Sequence, residues 1–399
     1  MEQRKEIQSD IFYVGVNDRN KALFENMWPL PYGVSYNSYL IVDDIIALVD
    51  TVDVCYFELF LRKIKSVIGE RPINYLIINH MEPDHSGSIR LIKQAYPDIV
   101  IVGNKQTFGM IEGYYGVVGE QYVVNNGDFL SLGKHTLHFY LTPMIHWPET
   151  MMTYDEKSKV LFSGDAFGCY GTLDGGCVDS DINIDHFCDE MIRYYSNIVG
   201  KYGAPVQQAL KKLSGIDVQM ICSTHGPIWK ENVSHVIRQY DRLSRYEADE
   251  GVVIAYGSMY GHTEEMAETI ADAISAEGIK NIVLHNVSRS NASYILRDIF
   301  KYKGLIIGSP TYSNQIYPDI ESLLSKIAVR DIKNRFLGYF GSFTWAGAAV
   351  RRIGEWTEKS KLEVIGEPVE MKQALNEISM QRCEALGHAM AERLKKDRV

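Results

Sequence analysis

His80-Met81-Glu82-Pro83-Asp84-His85 follows directly on the apolar run Tyr75-Leu76-Ile77-Ile78. A run of that kind makes a buried strand, so four potential metal ligands crowd onto the turn that leaves it. Imidazole and carboxylate alternate at i, i+2 and i+4, with a second imidazole at i+5. A loop folding back on itself aims all four inward, whereas a regular helix or strand would scatter them. The plain alternative is a strand that ends in a polar loop. The density of the cluster favours a metal site, because gathered His, Asp and Glu are what such sites are built from.

Outward from this stretch the same arrangement recurs. Ser38 to Val42 reads as a strand, Asp43-Asp44 as a tight turn and Ile45 to Val49 as the returning strand. Asp50-Thr51 is expected to cap a helix carrying Leu59, Leu61, Ile64 and Val67. A helix from about Gly87 to Ala95 and a strand from Ile99 to Val102 follow the cluster. Beyond the strand-like Thr136 to Tyr140 lies Pro143-Met144-Ile145-His146-Trp147-Pro148, and Val160 to Phe162 runs into Ser163-Gly164-Asp165. Val218 to Cys222 leads into Ser223-Thr224-His225-Gly226. His80, His146, Asp165 and His225 therefore each sit just past an apolar run, where layered α/β structures gather their ligands.

Seven candidate ligands result: His80, Glu82, Asp84, His85, His146, Asp165 and His225. One tetrahedral zinc takes three or four, so seven suit two metals with one carboxylate between them. Asp165 is the natural bridge, lying between the two distal histidines in the chain. Pro143 and Pro148 stiffen the loop of His146, and Trp147 serves either as an apolar wall or as core. Gly164 and Gly168 let the backbone approach closely around Asp165.

Composition bounds the rest. The 399 residues suggest two or three domains. Hydrophobic residues make up 46% and charged residues 23%, as in a soluble globular chain. With 41 basic against 51 acidic residues the formal charge is −10, which argues against a nucleic-acid or anionic-membrane binder. No apolar run is long enough to span a bilayer and no signal core follows Met1, so the expected location is the cytoplasm. The six cysteines are scattered without a C-x-x-C, which excludes a four-cysteine metal module and points to buried apolar roles.

The second half is of another kind. After the helical stretch Val233 to Tyr246, the polar segment Glu247 to Gly251 reads as a linker, giving domains of 1–248 and 251–399. Val252 to Tyr256 is a strand, followed by the loop Gly257-Ser258-Met259-Tyr260-Gly261-His262-Thr263 and a helix that stops at Gly278. A strand, a hydroxyl- and glycine-bearing loop and a helix together bind phosphate at the helix N-terminus. Neither a G-x-G-x-x-G nor a Walker loop is present. Two further strands, Leu305 to Ile307 and Leu337 to Phe340, lead into loops Gly308 to Asn314 and Gly341 to Gly347. Three such loops make a nest for a flat ring with a phosphate tail. Strands are also expected near Ile282 to His285 and Leu362 to Ile365, with a terminal helix carrying Ala385, Ala389 and Leu394.

The order of cluster, His, Asp and His resembles the metallo-β-lactamase fold, whose hydrolases carry His-x-His-x-Asp-His. Here Glu82 stands at the second histidine. His-x-Glu-x-Asp-His is the pattern of the flavodiiron proteins, and the second half is similar to flavodoxin. The resemblance covers nearly the whole chain and implies a two-domain α/β protein. Its N-terminal part would be a metallo-β-lactamase-like αββα sandwich, its C-terminal part a flavodoxin-like doubly wound parallel sheet. No rubredoxin or flavin-reductase module follows, as in the simplest, A-type members.

By that resemblance His80, Glu82 and His146 hold one iron and Asp84, His85 and His225 the other, bridged by Asp165. In some members the residue matching His85 does not bind its iron. A carboxylate at Glu82 suits iron better than a nitrogen-rich zinc site does. Ser258, Met259, Tyr260, Gly261, His262 and Thr263 would cradle the FMN phosphate, with Tyr312 and Trp345 flanking the ring. Pro310, Thr311, Asn314 and the run Ser342, Phe343, Thr344, Ala346 and Gly347 would complete the flavin site.

The implied activity is reduction of O2 to water, NO to N2O, or both. Electrons would come through FMN from a rubredoxin or, as in some archaeal members, a reduced deazaflavin. FMN and iron of one chain lie too far apart in the family for fast transfer, which implies a head-to-tail homodimer, also found as a dimer of dimers. The segment Phe24-Glu25-Asn26-Met27-Trp28-Pro29 falls near the metal pocket of relatives and departs from their pattern, leaving O2 against NO open. Two rivals are a zinc hydrolase with a flavodoxin-like appendage and an electron carrier with a degenerate metal domain. Glu82 and the intact set of seven ligands speak against both.

Overall fold

The computed structural model describes residues 4–117 and 119–397. The chain divides into two compact units. One comprises the residues up to Tyr195 with Tyr202–Asp241, the other Ser196–Lys201 and the chain from Arg242 onward.

The first unit holds two large sheets and, among the described residues, two two-stranded ones, Val16–Asp18 with Val34–Tyr36 and Leu23–Phe24 with Trp28–Pro29. Seven strands run in the order Lys5–Gln8, Ile11–Tyr13, Tyr39–Val42, Ile46–Val49, Tyr75–Ile77, Val100–Gly103 and Gln121–Val123. Five more run in the order Phe129–Ser131, Thr136–Leu141, Met151–Asp155, Val160–Gly164 and Met220–Ser223. Hairpin-linked strands pair antiparallel, while Ile46–Val49, Tyr75–Ile77 and Val100–Gly103 run parallel, which requires helical crossovers between them. Helix Phe57–Ile68 is one such crossover, burying Phe60, Ile64, Val67 and Ile68. The two large sheets face each other. Every residue of Met151–Asp155 and Val160–Gly164 is buried. The Tyr39 ring lies 5.3 Å from that of Phe162, and its O–H donates to the Ser223 carbonyl at 2.7 Å.

Two local expectations are corrected here. Asp50 and Thr51 do not cap the helix; Asp53 caps the 3-10 turn Val54–Tyr56 that leads into it, accepting from Cys55 N–H at 3.0 Å. The Asp50 carboxylate instead takes the backbone and side-chain N–H of Asn79 at 2.8 and 2.9 Å. Thr51 ties the His85 carbonyl through both its N–H and its hydroxyl. Both therefore brace the ligand turn. That turn, in addition, is not wholly a loop: Pro83–Ser86 is one helical turn with proline in its first position, where a missing N–H does no harm.

The second unit is a parallel sheet in the order Ile282–Asn286, Asp249–Tyr256, Tyr302–Tyr312, Lys333–Phe343 and Lys361–Val364. Helices His262–Ala276 and Glu377–Lys396 cover it with Met266, Ile270, Leu386 and Met390. Asp249 and Glu250, expected in a linker, begin the first strand. The expected loops after Ile307 and Phe340 are likewise partly strand, because Ser309 and Pro310 stay in register with Gly341 and Ser342. The chain then turns at Ser313-Asn314, both at positive φ, into the short partner Gln315–Ile316. A seventh strand, Val369–Lys372, pairs parallel with the end of Lys333–Phe343.

Among the described residues no helix is long and apolar enough to cross a membrane. Cys169, Cys177, Cys222 and Cys383 are buried, while Cys55 is exposed.

Gly308 shows how tightly the sheet is set. A Cβ there would fall 2.2 Å from the Phe340 ring, its register partner, which is fully buried. Gly308→Ala is expected to destabilise this unit by about 1–3 kcal/mol through overpacking. A lower urea midpoint, followed by circular dichroism, would show it; an unchanged midpoint would mean that the ring has room to move.

Candidate functional site

Three ligand positions are placed by strand ends. His80 follows Tyr75–Ile77, Asp165 follows Val160–Gly164, and His225 follows Met220–Ser223, the last two strands being parallel neighbours. His146 comes from the connection between Thr136–Leu141 and Met151–Asp155. Together with Glu82, Asp84 and His85 they converge on one pocket.

Asp165 sits at its centre, fully buried, with its two oxygens facing different groups. Its Oδ2 lies 3.2 Å from His146 Nε2 and 3.6 Å from His80 Nε2. Its Oδ1 lies 3.2 Å from His85 Nε2 and 3.6 Å from His225 Nε2. Glu82 Oε2 belongs with the first group, 3.0 Å from His146 Nε2. Asp84 Oδ2 belongs with the second, 3.3 Å from His225 Nε2. His85 also lies within reach of His80, Glu82 and Asp165, so it stands between the two groups.

The remaining ring nitrogens are held from behind. His80 Nδ1–H donates to Glu149 Oε1 at 2.7 Å, and the same oxygen accepts from Met81 N–H at 2.9 Å. His225 Nδ1–H donates to the Ser35 carbonyl at 2.8 Å. Both bonds leave Nε2 as the ring atom aimed inward. Glu149 and Ser35 were not legible in the sequence, although Glu149 lies only three residues beyond His146.

Burial alone would depress these imidazoles, but the carboxylates override it. Asp165, Glu149 and Glu82 push His80 up to about 10, and Asp165 with Glu82 does the same to His146, also about 10. Against the opposing effect of burial, bonds from His146 and His80 bring Glu82 down to about 2. Asp84 moves the other way, raised by burial and by the charge of Glu82.

The donor atoms fit a pair of cations better than they fit one another. Asp84 Oδ1 and Oδ2, both ring nitrogens of His85 and His225 Nε2 are buried without a hydrogen-bond partner. Buried polar atoms of that kind are rare in folded chains. Nitrogens and oxygens about 3 Å apart yet unaligned for hydrogen bonding are what ligands bound at roughly 2.1 Å around a shared cation look like. Seven donors, three of them carboxylates, favour iron over a nitrogen-rich zinc site.

The pocket opens through a cavity of about 350 Å³ lined by Phe24, Glu25, Asn26, Lys21, Asp53 and Val54 beside Glu82 and Asp84. Phe24 packs edge-on against the His225 ring at 5.4 Å. Glu25 and Asn26 form the tip of a hairpin, at φ of 48° and 54°, and Trp28 Nε1–H donates to Glu25 Oε2 at 3.2 Å. Burial and the charge of Glu82 raise the Glu25 carboxyl. On the opposite wall Trp147 lies edge-on to His80 at 5.2 Å and stacks on Tyr114, so it is a wall rather than core.

In the second unit a cleft of about 330 Å³ is lined by Met259, Tyr260, His262 and Thr263, by Pro310 and Thr311, and by Ser342, Phe343 and Thr344. The three expected loops do meet. Gln373 and Ala374 complete the lining; the alternating Val369-Glu370-Met371-Lys372 before them was the signal for the strand that delivers them. Gly261, at φ 95°, stands before the helix with open space above it, and its N–H donates to Ser258 Oγ. Thr263 and Ser342 share a hydroxyl hydrogen bond of 2.9 Å. Thr311 Oγ1 accepts from the N–H groups of Ala348 and Ala349, capping a helix, so its proton is what it offers the cleft. Ser258, Gly261, Tyr312, Asn314, Trp345, Ala346 and Gly347 lie outside the lining. Tyr260, Trp345 and Tyr312 are 87%, 85% and 48% exposed, apolar surfaces left standing around the cleft. Hydroxyls, a helix N-terminus and open space above a glycine fit a phosphate-bearing flavin.

Comparison with known proteins agrees with both halves. A family described as ODP family beta lactamase matches residues 34–226, and the flavodoxin family matches residues 254–386. A nitric oxide reductase of Moorella thermoacetica is 31% identical over 99% of this chain and all of its own length. Among solved structures, rubredoxin oxygen:oxidoreductase from Desulfovibrio gigas is 30% identical, with a TM-score of 0.95 and full coverage of both chains. The flavodiiron protein of Giardia intestinalis is 25% identical, with a TM-score of 0.94 over 99% of this chain and 98% of its own.

Because Glu149 orients His80, Glu149→Gln is expected to weaken metal retention by roughly 10–100-fold, the usual effect of removing such a support. Competition against a chelator, read as metal left per chain, measures it. Retention equal to the unmodified protein would reduce Glu149 to a packing role.

Proposed function

The chain belongs to the flavodiiron proteins, and from that premise we propose that it reduces O2 to water, NO to N2O, or both, with electrons passed through FMN. The observation that carries this reading is Asp165, one oxygen toward His80 and His146 and the other toward His85 and His225. His80, Glu82 and His146 would hold one iron, Asp84, His85 and His225 the other, with Asp165 between. When bound, the iron pair supplies a reducing site for a diatomic gas and FMN supplies electrons singly.

The chain's own groups prepare that chemistry. Glu149 and Ser35 engage Nδ1 of His80 and His225, so that Nε2 of each is the atom that would bind a metal in place of a proton. Phe24 and Trp147 wall the pocket with apolar ring edges, surfaces that an uncharged gas can approach. Both reductions consume protons. These would pass the mouth, where the raised carboxyl of Glu25 holds one more readily than a glutamate free in water would.

FMN would rest its phosphate against Ser258, Met259, Tyr260, Gly261, His262 and Thr263, with Thr311, Ser342 and Thr344 along the ring. Tyr312 and Trp345 would flank the ring, and their exposure suits a place where a partner surface closes over the flavin. We assign that surface to the metal face of a second copy, whose mouth also bears exposed apolar residues, Leu23, Met27, Val54 and Met144. A head-to-tail dimer would then bring flavin and iron together. The donor would be a rubredoxin or a reduced deazaflavin, and the location the cytoplasm.

Protein made with iron available is expected to carry about two irons and one FMN per chain. Asp165→Ala should lose most of its iron and at least about 100-fold in O2 and NO consumption while keeping FMN, since removing a shared ligand strips both metals of a donor. Elemental analysis, flavin release and gas electrodes give the three readouts. Zinc in place of iron, with hydrolytic turnover, would overturn the redox reading.

A further inference from the structure

A phosphate entering the cleft of the second unit meets almost no positive charge. Among the described residues that line it there is no lysine or arginine, and His262 alone can become a cation. His262 opens helix His262–Ala276, directly after Gly261, at the end where the helix dipole favours an anion. Its Nδ1 lies 3.4 Å from Glu265 Oε2, one turn along the same helix.

That carboxylate decides what the ring can offer. With Nδ1–H turned to Glu265, a neutral imidazole carries its lone pair on Nε2, and a lone pair facing phosphate oxygens repels them. Once protonated, the same ring gives Nε2 an N–H and a charge, and the contact becomes a charge-assisted hydrogen bond. Other titratable groups leave this logic intact. Glu264 is engaged by the Tyr256 O–H. Tyr260 is the other titratable group in the lining, and Pro310–Thr311, Ser342–Thr344 and Gln373–Ala374 present none. Glu370 lies against Gly347, and Lys372 precedes the lining without joining it.

We propose that His262, as imidazolium, is the charge partner of the flavin phosphate and selects phosphorylated flavin over riboflavin, the preference growing as pH falls through the imidazole range. The proposal rests on the flavin reading above. Imidazole changes charge at about pH 6.5 and a phosphate monoester takes its second proton at about pH 6. Both partners are therefore largely charged just above pH 6, and raising the pH removes the cation. FMN binding should take up a proton, and by linkage its affinity should fall as pH rises.

The test dilutes the FMN-loaded full-length protein at constant ionic strength and reads released flavin by fluorescence. FMN is expected to bind about fivefold more weakly at pH 8.5 than at pH 6.5, the part of a one-unit, tenfold coupling that falls within that interval. Riboflavin, offered to the stripped full-length chain, should bind with no such slope. His262→Asn should flatten the FMN slope at the weaker level, and His262→Lys should hold FMN tightly at both pH values. A flat profile in the unmodified protein, or a slope that survives in His262→Asn, overturns the proposal while leaving FMN binding intact. No flavin bound at any pH would overturn the flavin reading itself.

Discussion

The first unit is organised around a buried carboxylate that must be shared. Asp165 cannot be neutralised by one neighbour, since each of its oxygens faces a different pair of imidazoles. A buried anion without partners is prohibitive, and breaking one of several partnerships leaves a charge uncompensated. The surrounding chain is therefore built to keep the partners in place. Asp50 pins Asn79 beside His80, Thr51 pins the carbonyl of His85, Ser35 pins His225, and Thr224 donates to Asp165 itself. These supports come from strands far apart in sequence, so the site and the sheet sandwich stand or fall together.

The two sites solve opposite electrostatic problems. The first gathers carboxylates densely enough to push His80 and His146 up to about 10, a pocket that calls for cations. The second is lined by hydroxyls, a helix N-terminus and a single imidazole, a lining without lysine or arginine among the described residues. Placing a lysine or arginine there would hold phosphate more firmly but would bring a permanent charge close to the flavin.

Most of this was legible in the sequence because the signals were local. Four ligands stand within six consecutive positions, and each distal ligand follows an apolar strand. The strands Ile282–Asn286, Asp249–Tyr256, Tyr302–Tyr312, Lys333–Phe343 and Lys361–Val364 each showed as an apolar run, while their parallel arrangement came from the resemblance. What escaped was set by long-range contact. Glu149 looks like any acidic loop residue until His80 is brought within 2.7 Å from 69 positions away. The loops after Ile307 and Phe340 carry Gly, Ser and Pro, which read as turn chemistry, yet pairing with each other keeps them extended. Asp50-Thr51 has the composition of a helix cap, but tertiary partners for Asp50 and Thr51 outcompeted that local use.

Glu82 links the geometry to the class of reaction. The hydrolase pattern places a neutral imidazole there, so its ligand set carries the charges of Asp84 and Asp165 alone. Here Glu82 adds a third negative charge, and Glu149, bonded to His80, adds a fourth just behind the ligands. More ligand anions stabilise the more highly charged form of a bound metal, so an oxidised pair would be better tolerated here than in the hydrolase pattern. A hydrolytic metal must remain electron-poor enough to activate water and has no use for that extra charge. The substitution of one residue type in a six-residue motif thus changes what the fold can do, while the sandwich that presents it stays the same.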